Sequence, residues 1–467
     1  MAERVLLLTG HLARPRLEQV MGALGREAVD WAIEDIGVKV AALMTEDIIR
    51  RRLTRPVAAD RVILPGRVRA DLDRLGAEFG AKFERGPDEL VDLPAYFGRG
   101  GRPPDLSGHD VRIFAEIVDA PSRSVAEILA RARQYRAAGA DVIDLGGLPD
   151  TPFRQLEEAV RALKAEGFAV SVDSGDVEEL RRGARAGADF LLSLHDGTLE
   201  LARETAAVPV LIPARHGDLD SLLRAAERME RWGLPYLADP VLDPIHFGFT
   251  ESLTRYAAFR RAMPEAEMLM GTGNLTELTG ADTTGITAVL MGVVSELGIR
   301  NVLVVQVSPH TRRTVEEHDW ARRIMHAARR DSSLPKGYGD ALLCLHDTRP
   351  FANTPEGIAA AARAVRDRNF RIETAEDGVH IYNRDLHRVG PDAMGLFPGL
   401  GVESDGAHAF YLGAELTKAE IAWRLAKRYA QDEPLDWGCA ADPPAEDDET
   451  RLKAPGHTLK ARREPEG

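Results

Sequence analysis

One pattern recurs eight times between residues 111 and 330: a short apolar run ends in a polar or glycine-rich turn, and an amphipathic helical stretch follows. "VSVD", Val170–Asp173, is the plainest instance, with Ser174-Gly175 and a helical pattern after it. Continuous apolar runs mean strands buried on both faces, the mark of a parallel sheet. Parallel strands need crossover helices. Eight such pairs in one stretch predict an α/β fold of the (β/α)8 TIM barrel kind, with an open doubly wound sheet as the alternative. The expected strands are Val111–Asp119, Asp141–Gly147, Ala169–Asp173, Phe190–Leu194, Pro209–Pro213, Tyr236–Asp239, Glu267–Gly271 and Asn301–Val307. Helix caps are expected at Ser122 or Ser124, Ser174 or Asp176, Thr250, and Thr283 or Thr284.

The chain has 467 residues, too many for one ordinary core. Residues 1–105 predict a small Rossmann-like α/β domain, with strands at Val5–Thr9, Val38–Met44 and Arg61–Leu64 alternating with helices. Thr9-Gly10-His11 falls where open sheets bind ligands, and is also an ordinary turn. The run Arg99–Asp105 reads as a linker because Gly and Pro oppose both periodic structures. The barrel then occupies 106–335, and 336–440 predicts an α+β domain. Its expected elements are a strand in "ALLCLHD" (341–347), a helix over Pro355–Asn369, and a hairpin of Phe370–Thr374 and Val379–Tyr382. A loop at 390–406, a strand at Ala409–Leu412 and a helix from Thr417 complete it. The tail, 441–467, has almost no apolar residues and is expected to be disordered.

No apolar run approaches the ~20 residues of a membrane helix, and the N-terminus lacks a signal-peptide pattern. Cys344 and Cys439 fit no metal or redox spacing and read as reduced structural thiols of a cytoplasmic protein. The net charge of −14 argues against a nucleic-acid surface. It still permits a small anionic substrate, which a few arginines and helix N-termini can hold.

Barrel active sites lie where the strands end. The residues expected there are Asp119, Asp144, Asp173, Ser193 with His195, Asp239, Gly271 with Asn274, and Gln306 with Ser308. Four acids at one mouth repel unless they meet hydrogen-bond donors or positive charge. A heterocycle rich in N–H groups satisfies them, as does a divalent ion. Asp144 can also serve simply as a turn cap. Asp173 and Asp239 each follow an apolar strand, where an unpaired acid is costly without a function. His195 beside Asp196 reads equally as an acid–base pair or as a structural loop histidine.

"GADVIDLGG" (139–147), "VSVDS" (170–174), "LADP" (237–240) and "FGF" (247–249) resemble, in order and spacing, the signature segments of dihydropteroate-synthase-like, pterin-binding barrels. The resemblance covers residues 111–315, and is closer to the relatives of that synthase from organisms that make tetrahydromethanopterin. It implies displacement of pyrophosphate from 6-hydroxymethyl-7,8-dihydropterin diphosphate by an arylamine. Asp173, Asp239 and Asp144 would be catalytic. Asp173, Ser193, Asp239, Gly271, Asn274 and Gln306 would bind pterin. Asp119 would contact Mg2+ carried with the diphosphate. The family's lysine after strand seven is missing, and its Arg-x-His appears as Gln306-Val-Ser308. Arg123, His310, Arg312 and Arg313 are then the candidates for phosphate. The losses suggest a changed second substrate, 4-(β-D-ribofuranosyl)aminobenzene 5′-phosphate. A pterin-dependent methyltransferase acting with a corrinoid protein, and a non-catalytic pterin binder, are the alternatives. Such barrels usually form homodimers, so one is expected here.

Overall fold

The computed structural model describes residues 3–24, 29–39, 41, 44–87, 90–97, 104–148 and 151–442. These fall into two compact units. One comprises the residues up to Asp105 with Ala352–Thr354, and the other comprises the rest.

In the first unit β1 (Arg4–Thr9), β2 (Asp30–Asp35), β3 (Arg61–Leu64) and β4 (Lys82–Arg85) make a parallel sheet in the order β2-β1-β3-β4. Helices Arg14–Leu24, Glu46–Arg52 and Leu72–Phe79 connect them. Of the strand expected at Val38–Met44, residues 40, 42 and 43 lie outside the described residues, and the described ones are not in a strand. The strand partner of β1 is the polar "DWAIED" segment, paired from Arg4↔Asp30 to Thr9↔Asp35. An edge strand carries one exposed side, so its apolar signal is weak. Val38 and Lys39 instead cover the turn after β1, where their carbonyls accept from the His11 and Leu12 amides. Gly10 packs so close to that segment that a Cβ would lie 2.8 Å from the Ala41 nitrogen. His11 turns to Asp35, Nδ1 to Oδ2 3.1 Å. The expected linker at Arg99–Asp105 lies mostly outside the described residues, as does the tail from 443 onward.

The second unit contains the barrel. Its strands are β5 (Arg112–Ile117), β6 (Val142–Gly146), β7 (Ala169–Asp173), β8 (Phe190–Leu194), β9 (Val208–Leu211), β10 (Leu237–Ala238), β11 (Leu269–Gly271) and β12 (Asn301–Val305). All pair in parallel, in the order β10-β9-β8-β7-β6-β5-β12-β11. A single bridge, Ala238↔Met268, joins the two ends of the sheet. Successive residues of a strand face opposite sides. Phe114, Val142, Phe190, Leu192, Val210, Leu237 and Leu269 accordingly fill the inside, with Phe114 and Phe190 edge to face at 4.9 Å. The alternate residues pack outward on the helices in one large core.

The caps form at Ser124, within a full capping box, and at Asp176. Ser174 instead accepts from the Asp176 amide and donates to Glu179. Gly248 caps the helix expected to start at Thr250, and Asp282 sits at the cap position before Thr283. Arg322, on the last barrel helix (Thr314–Arg330), is almost fully buried. It donates to Asp141, Asp319 and the carbonyls of Val111 and Gly139.

Beyond the barrel, β13 (Arg371–Ala375), β14 (Gly378–Tyr382) and β15 (His387–Gly390) form an antiparallel sheet. It packs on the helix Gly406–Arg424 through Leu412, Leu416 and Ala419. Two expected strands are absent here. Residues 341–347 form turns, and Ala409–Leu412 lies inside that long helix, whose buried positions recur at helical spacing. The helix expected over Pro355–Asn369 ends at Ala364. The turns place the Cys344 sulfur 4.0 Å from that of Cys439, a proximity hidden by their separation in sequence. Among the described residues, no helix is long and apolar enough to cross a membrane.

Candidate functional site

The inside of the barrel changes character along its axis. On β5 the inward position after Phe114 is Glu116, on β6 the one after Val142 is Asp144, and on β7 the one after Ala169 is Ser171. These three lie in one register row, Glu116↔Asp144 and Asp144↔Ser171. The next row pairs Gly146 with Asp173. The apolar floor thus gives way to acids at the carboxyl ends of neighbouring strands.

Asp144 is completely buried. Its Oδ1 accepts from the Ser171 hydroxyl, while its Oδ2 has no protein partner. It is not a turn cap. Burial, reinforced by Glu116 and Asp173, pushes its carboxyl well above the usual range. Burial and the Asp173 charge push Glu116 up to about 7. Burial also raises Asp173, and the hydrogen bond from Ser193 opposes that rise. Ser193 Oγ donates to Asp173 Oδ1 at 2.6 Å. It does so from a left-handed backbone, φ 68°, at an irregularity in the β8–β9 pairing.

Asp239 approaches from β10. Its Oδ1 accepts from the Tyr256 hydroxyl at 2.5 Å and from the Val241 amide at 2.8 Å. Burial pushes its carboxyl up to about 6, against these hydrogen bonds and the nearby Arg255. The Asp173 charge acts on Asp239 in the raising direction, so the two acids share one field. A Cβ at Gly271 would stand 3.9 Å from Asp239 Oδ2, which places β11 beside this acid. Arg255 fastens the following loop through the Pro240 and Val241 carbonyls and Asp243. Asp243 also meets His216 at 2.8 Å. Asn274 donates to the Leu242 carbonyl at 2.7 Å, so it holds this same loop.

Tyr256→Phe is expected to raise the Asp239 proton affinity further, because the hydroxyl stabilises the charged carboxylate. Loss of that bond should cost about 1–3 kcal/mol at neutral pH. Carboxyl carbon resonances followed against pH, with thermal unfolding at pH 7.5, measure both. An unchanged Asp239 titration contradicts the assignment.

The other expected residues are engaged elsewhere. Asp119 and Arg123 hold each other in a bidentate pair, at 2.6 and 2.8 Å. Arg313 donates to the Cys439 carbonyl and pairs with Glu316 and Asp442. Arg312 reaches the Ala440 carbonyl at 3.5 Å, and His310 contacts the Thr276 carbonyl at 3.1 Å. Gln306 spends its amide on the Arg312 carbonyl and the Val315 amide. Glu277 holds the Ser308 backbone at 3.0 Å. His195 accepts from the Gly197 amide, with Asp196 3.9 Å away, so the pair forms a turn and not a relay. No group of three or more His, Cys, Asp or Glu among the described residues is arranged to hold a metal ion. Asp119, the expected Mg2+ contact, has both carboxylate oxygens on Arg123.

Glu116, Ser171, Tyr256 and Arg255 were not among the expected site residues. Glu116 sits inside a strand, one residue before its end and three before the end expected from the sequence, where a list of strand-end residues passes over it. The signal was its alternation with Phe114 in an otherwise apolar run.

Residues 3–88 match a family of unknown function (DUF6513). The chain is 24% identical over 522 residues to the uncharacterized protein MJ0107 of Methanocaldococcus jannaschii, covering 92% of this chain and 98% of that one. Among solved structures it is similar to dihydropteroate synthase of Yersinia pestis with a pterine-sulfa conjugate. That match has 20% identity and TM-score 0.38, and covers 49% of this chain and 95% of that one. The 7,8-dihydropteroate synthase of Vibrio fischeri gives 14% identity, TM-score 0.39 and coverages of 49% and 95%. The synthase of Burkholderia cenocepacia complexed with 7,8-dihydropteroate gives 17%, 0.37, 48% and 92%.

Proposed function

We propose that the barrel mouth binds a reduced pterin and transfers its substituent, as dihydropteroate synthases do. The observation that carries this reading is the pair of buried acids, Asp173 and Asp239, each steadied by a hydroxyl and sharing one electrostatic field. Such a pair meets the amino and ring N–H groups of a pterin with acceptors already oriented. The signature segments stand in the order and spacing of that family, which supports the same class of ligand. The finer reading is attack by an arylamine on the pterin methylene with loss of pyrophosphate. The phosphorylated amine 4-(β-D-ribofuranosyl)aminobenzene 5′-phosphate is the second substrate that suits the altered strand ends.

One observation favours a second reading. Among the described residues, no lysine or arginine pairs with Glu116, Asp144 or Asp173, and Arg123 is already held by Asp119. A leaving pyrophosphate needs positive charge, whereas methyl transfer from a methylated tetrahydropterin does not. The test is incubation with the dihydropterin diphosphate and each arylamine, and separately with a methylated tetrahydropterin and a corrinoid protein. Pyrophosphate release supports the first reading and corrinoid methylation the second.

Binding should depend on the acids in either case. Asp173→Asn and Asp239→Asn are each expected to weaken binding of a reduced pterin at least tenfold, about 1.4 kcal/mol or more. Calorimetric titration reads this directly. Wild-type affinity in both variants would refute the clamp.

A further inference from the structure

We infer that Glu116 and Asp144 hold one proton between them and so set the ligand specificity of the barrel floor. The pair presents one donor and one acceptor side by side, and selects a heterocycle edge carrying an N–H beside a lone-pair nitrogen or carbonyl.

The geometry points there from three independent observations. The two side chains occupy the same register row on adjacent parallel strands, both directed inward. Adjacent strands run roughly 4.8 Å apart, too close for two buried carboxylates to be ionised together. Asp144 Oδ2 is buried without any protein partner. A polar atom left so in a close-packed interior calls for a donor or acceptor from a ligand or water. Thirdly, room is kept for Glu116. A Cβ on Gly146 would stand 2.5 Å from Glu116 Oε1, 3.1 Å from the Val118 Cα and 3.2 Å from the Ile117 carbonyl oxygen. Gly146 in "DLGG" is thus the position that lets the Glu116 carboxyl lie over β6.

The surroundings leave the proton no other home. From β7 the pair faces Ser171, whose hydroxyl is spent on Asp144, and Asp173, whose Oδ1 is occupied by Ser193. From the outer helix, the Tyr135 hydroxyl donates to the Glu116 backbone carbonyl. On the β12 side the register partner of Glu116 is Val305. The nearest cation past the strand end is Arg123, held by Asp119. A neutral carboxyl beside an ionised one therefore satisfies the row better than two charges.

This inference rests on the proposed pterin reading for its ligand, and its test separates the two. The first measurement uses ligand-free protein labelled at the Asp and Glu carboxyl carbons. Glu116 and Asp144 should titrate in two separate steps, both above the ordinary carboxyl range and one of them at or above neutral pH. Titration of both below pH 5 overturns the inference whatever the ligand is. The second measurement is calorimetric titration with a reduced pterin between pH 6 and 9, in buffers of different ionisation enthalpy. Wild-type affinity should fall about tenfold per pH unit once the shared proton leaves. Glu116→Gln keeps both a donor and an acceptor at position 116 without titrating there, so its affinity should fall less steeply than that of the wild type over that range. A Glu116→Gln profile that matches the wild-type slope overturns the inference. Failure of the wild-type protein to bind a pterin at any pH overturns the proposed function alone.

Discussion

Replacement of Arg322 by alanine is expected to destabilise the second unit by roughly 3–5 kcal/mol, the usual cost of breaking a buried ion pair from one side. Arg322 is 2% exposed at its side chain. Its guanidinium ties the Asp141 carboxylate, at the start of β6, to Asp319 on the last helix and to the Val111 carbonyl at the start of β5. Asp141 in turn accepts from the Ile113 amide at 2.8 Å. One side chain thus holds the first, second and last units of the barrel at their amino-terminal ends. Removing it leaves the Val111 and Gly139 carbonyls without this donor and takes one cation from two acids, of which Asp141 keeps the Ile113 amide and Asp319 keeps Arg323. Chemical denaturation at neutral pH measures the loss. A methionine at the same position should recover the packing but not the ion pairs, so it should remain well below wild type. A loss under about 1 kcal/mol for alanine would show the network to be redundant.

The second large effect has the opposite sign. Glu116→Gln is expected to stabilise the protein at alkaline pH. In the folded chain the Glu116 carboxyl is pushed up to about 7, against an ordinary 4.5. The native state therefore keeps a proton that the unfolded chain has released. The stabilisation this represents is complete below pH 4.5 and is lost as pH rises through 7. At about 1.4 kcal/mol per pH unit over the interval from 4.5 to about 7, the folded protein carries a strain of roughly 3 kcal/mol at pH 8 that glutamine removes. The variant and the wild type should unfold alike at pH 4 and diverge steadily above pH 5. Equal stabilities at pH 8 would mean that Glu116 ionises without penalty. A site that resists its own ionisation is an expected mark of function, because stability alone would not retain it.

The eight strand–helix units were legible because burial on both faces leaves a continuous apolar run, and β7 and β8 match their expected bounds residue for residue. Edge strands were not. β2 and β4, "DWAIED" and "KFER", expose one side and carry charge along it. The opposite error arose at Ala409–Leu412, where aromatic residues of high strand propensity sit in a helix whose inner face, Leu412, Leu416 and Ala419, decides the structure. At the site, Asp173 and Asp239 could be read from strand ends. Tyr256 could not, since it arrives from an outer helix, 17 residues from the acid it serves. The phosphate candidates past β12 were chosen by charge alone. Arg313 is held by residues 439 and 442, more than a hundred positions away, and no local pattern announces such a contact.

The single bridge between the two ends of the sheet gives the two jaws of the proposed clamp unequal support. Asp173 stands on a five-residue strand paired along both sides, which makes it a fixed jaw. Asp239 follows a two-residue strand whose seam to β11 is one bridge, and a tyrosine on a helix steadies it from behind. That jaw is the compliant one. A vice built so grips articles of slightly different thickness without losing its reference face, and it wears first at the hinge of its movable side.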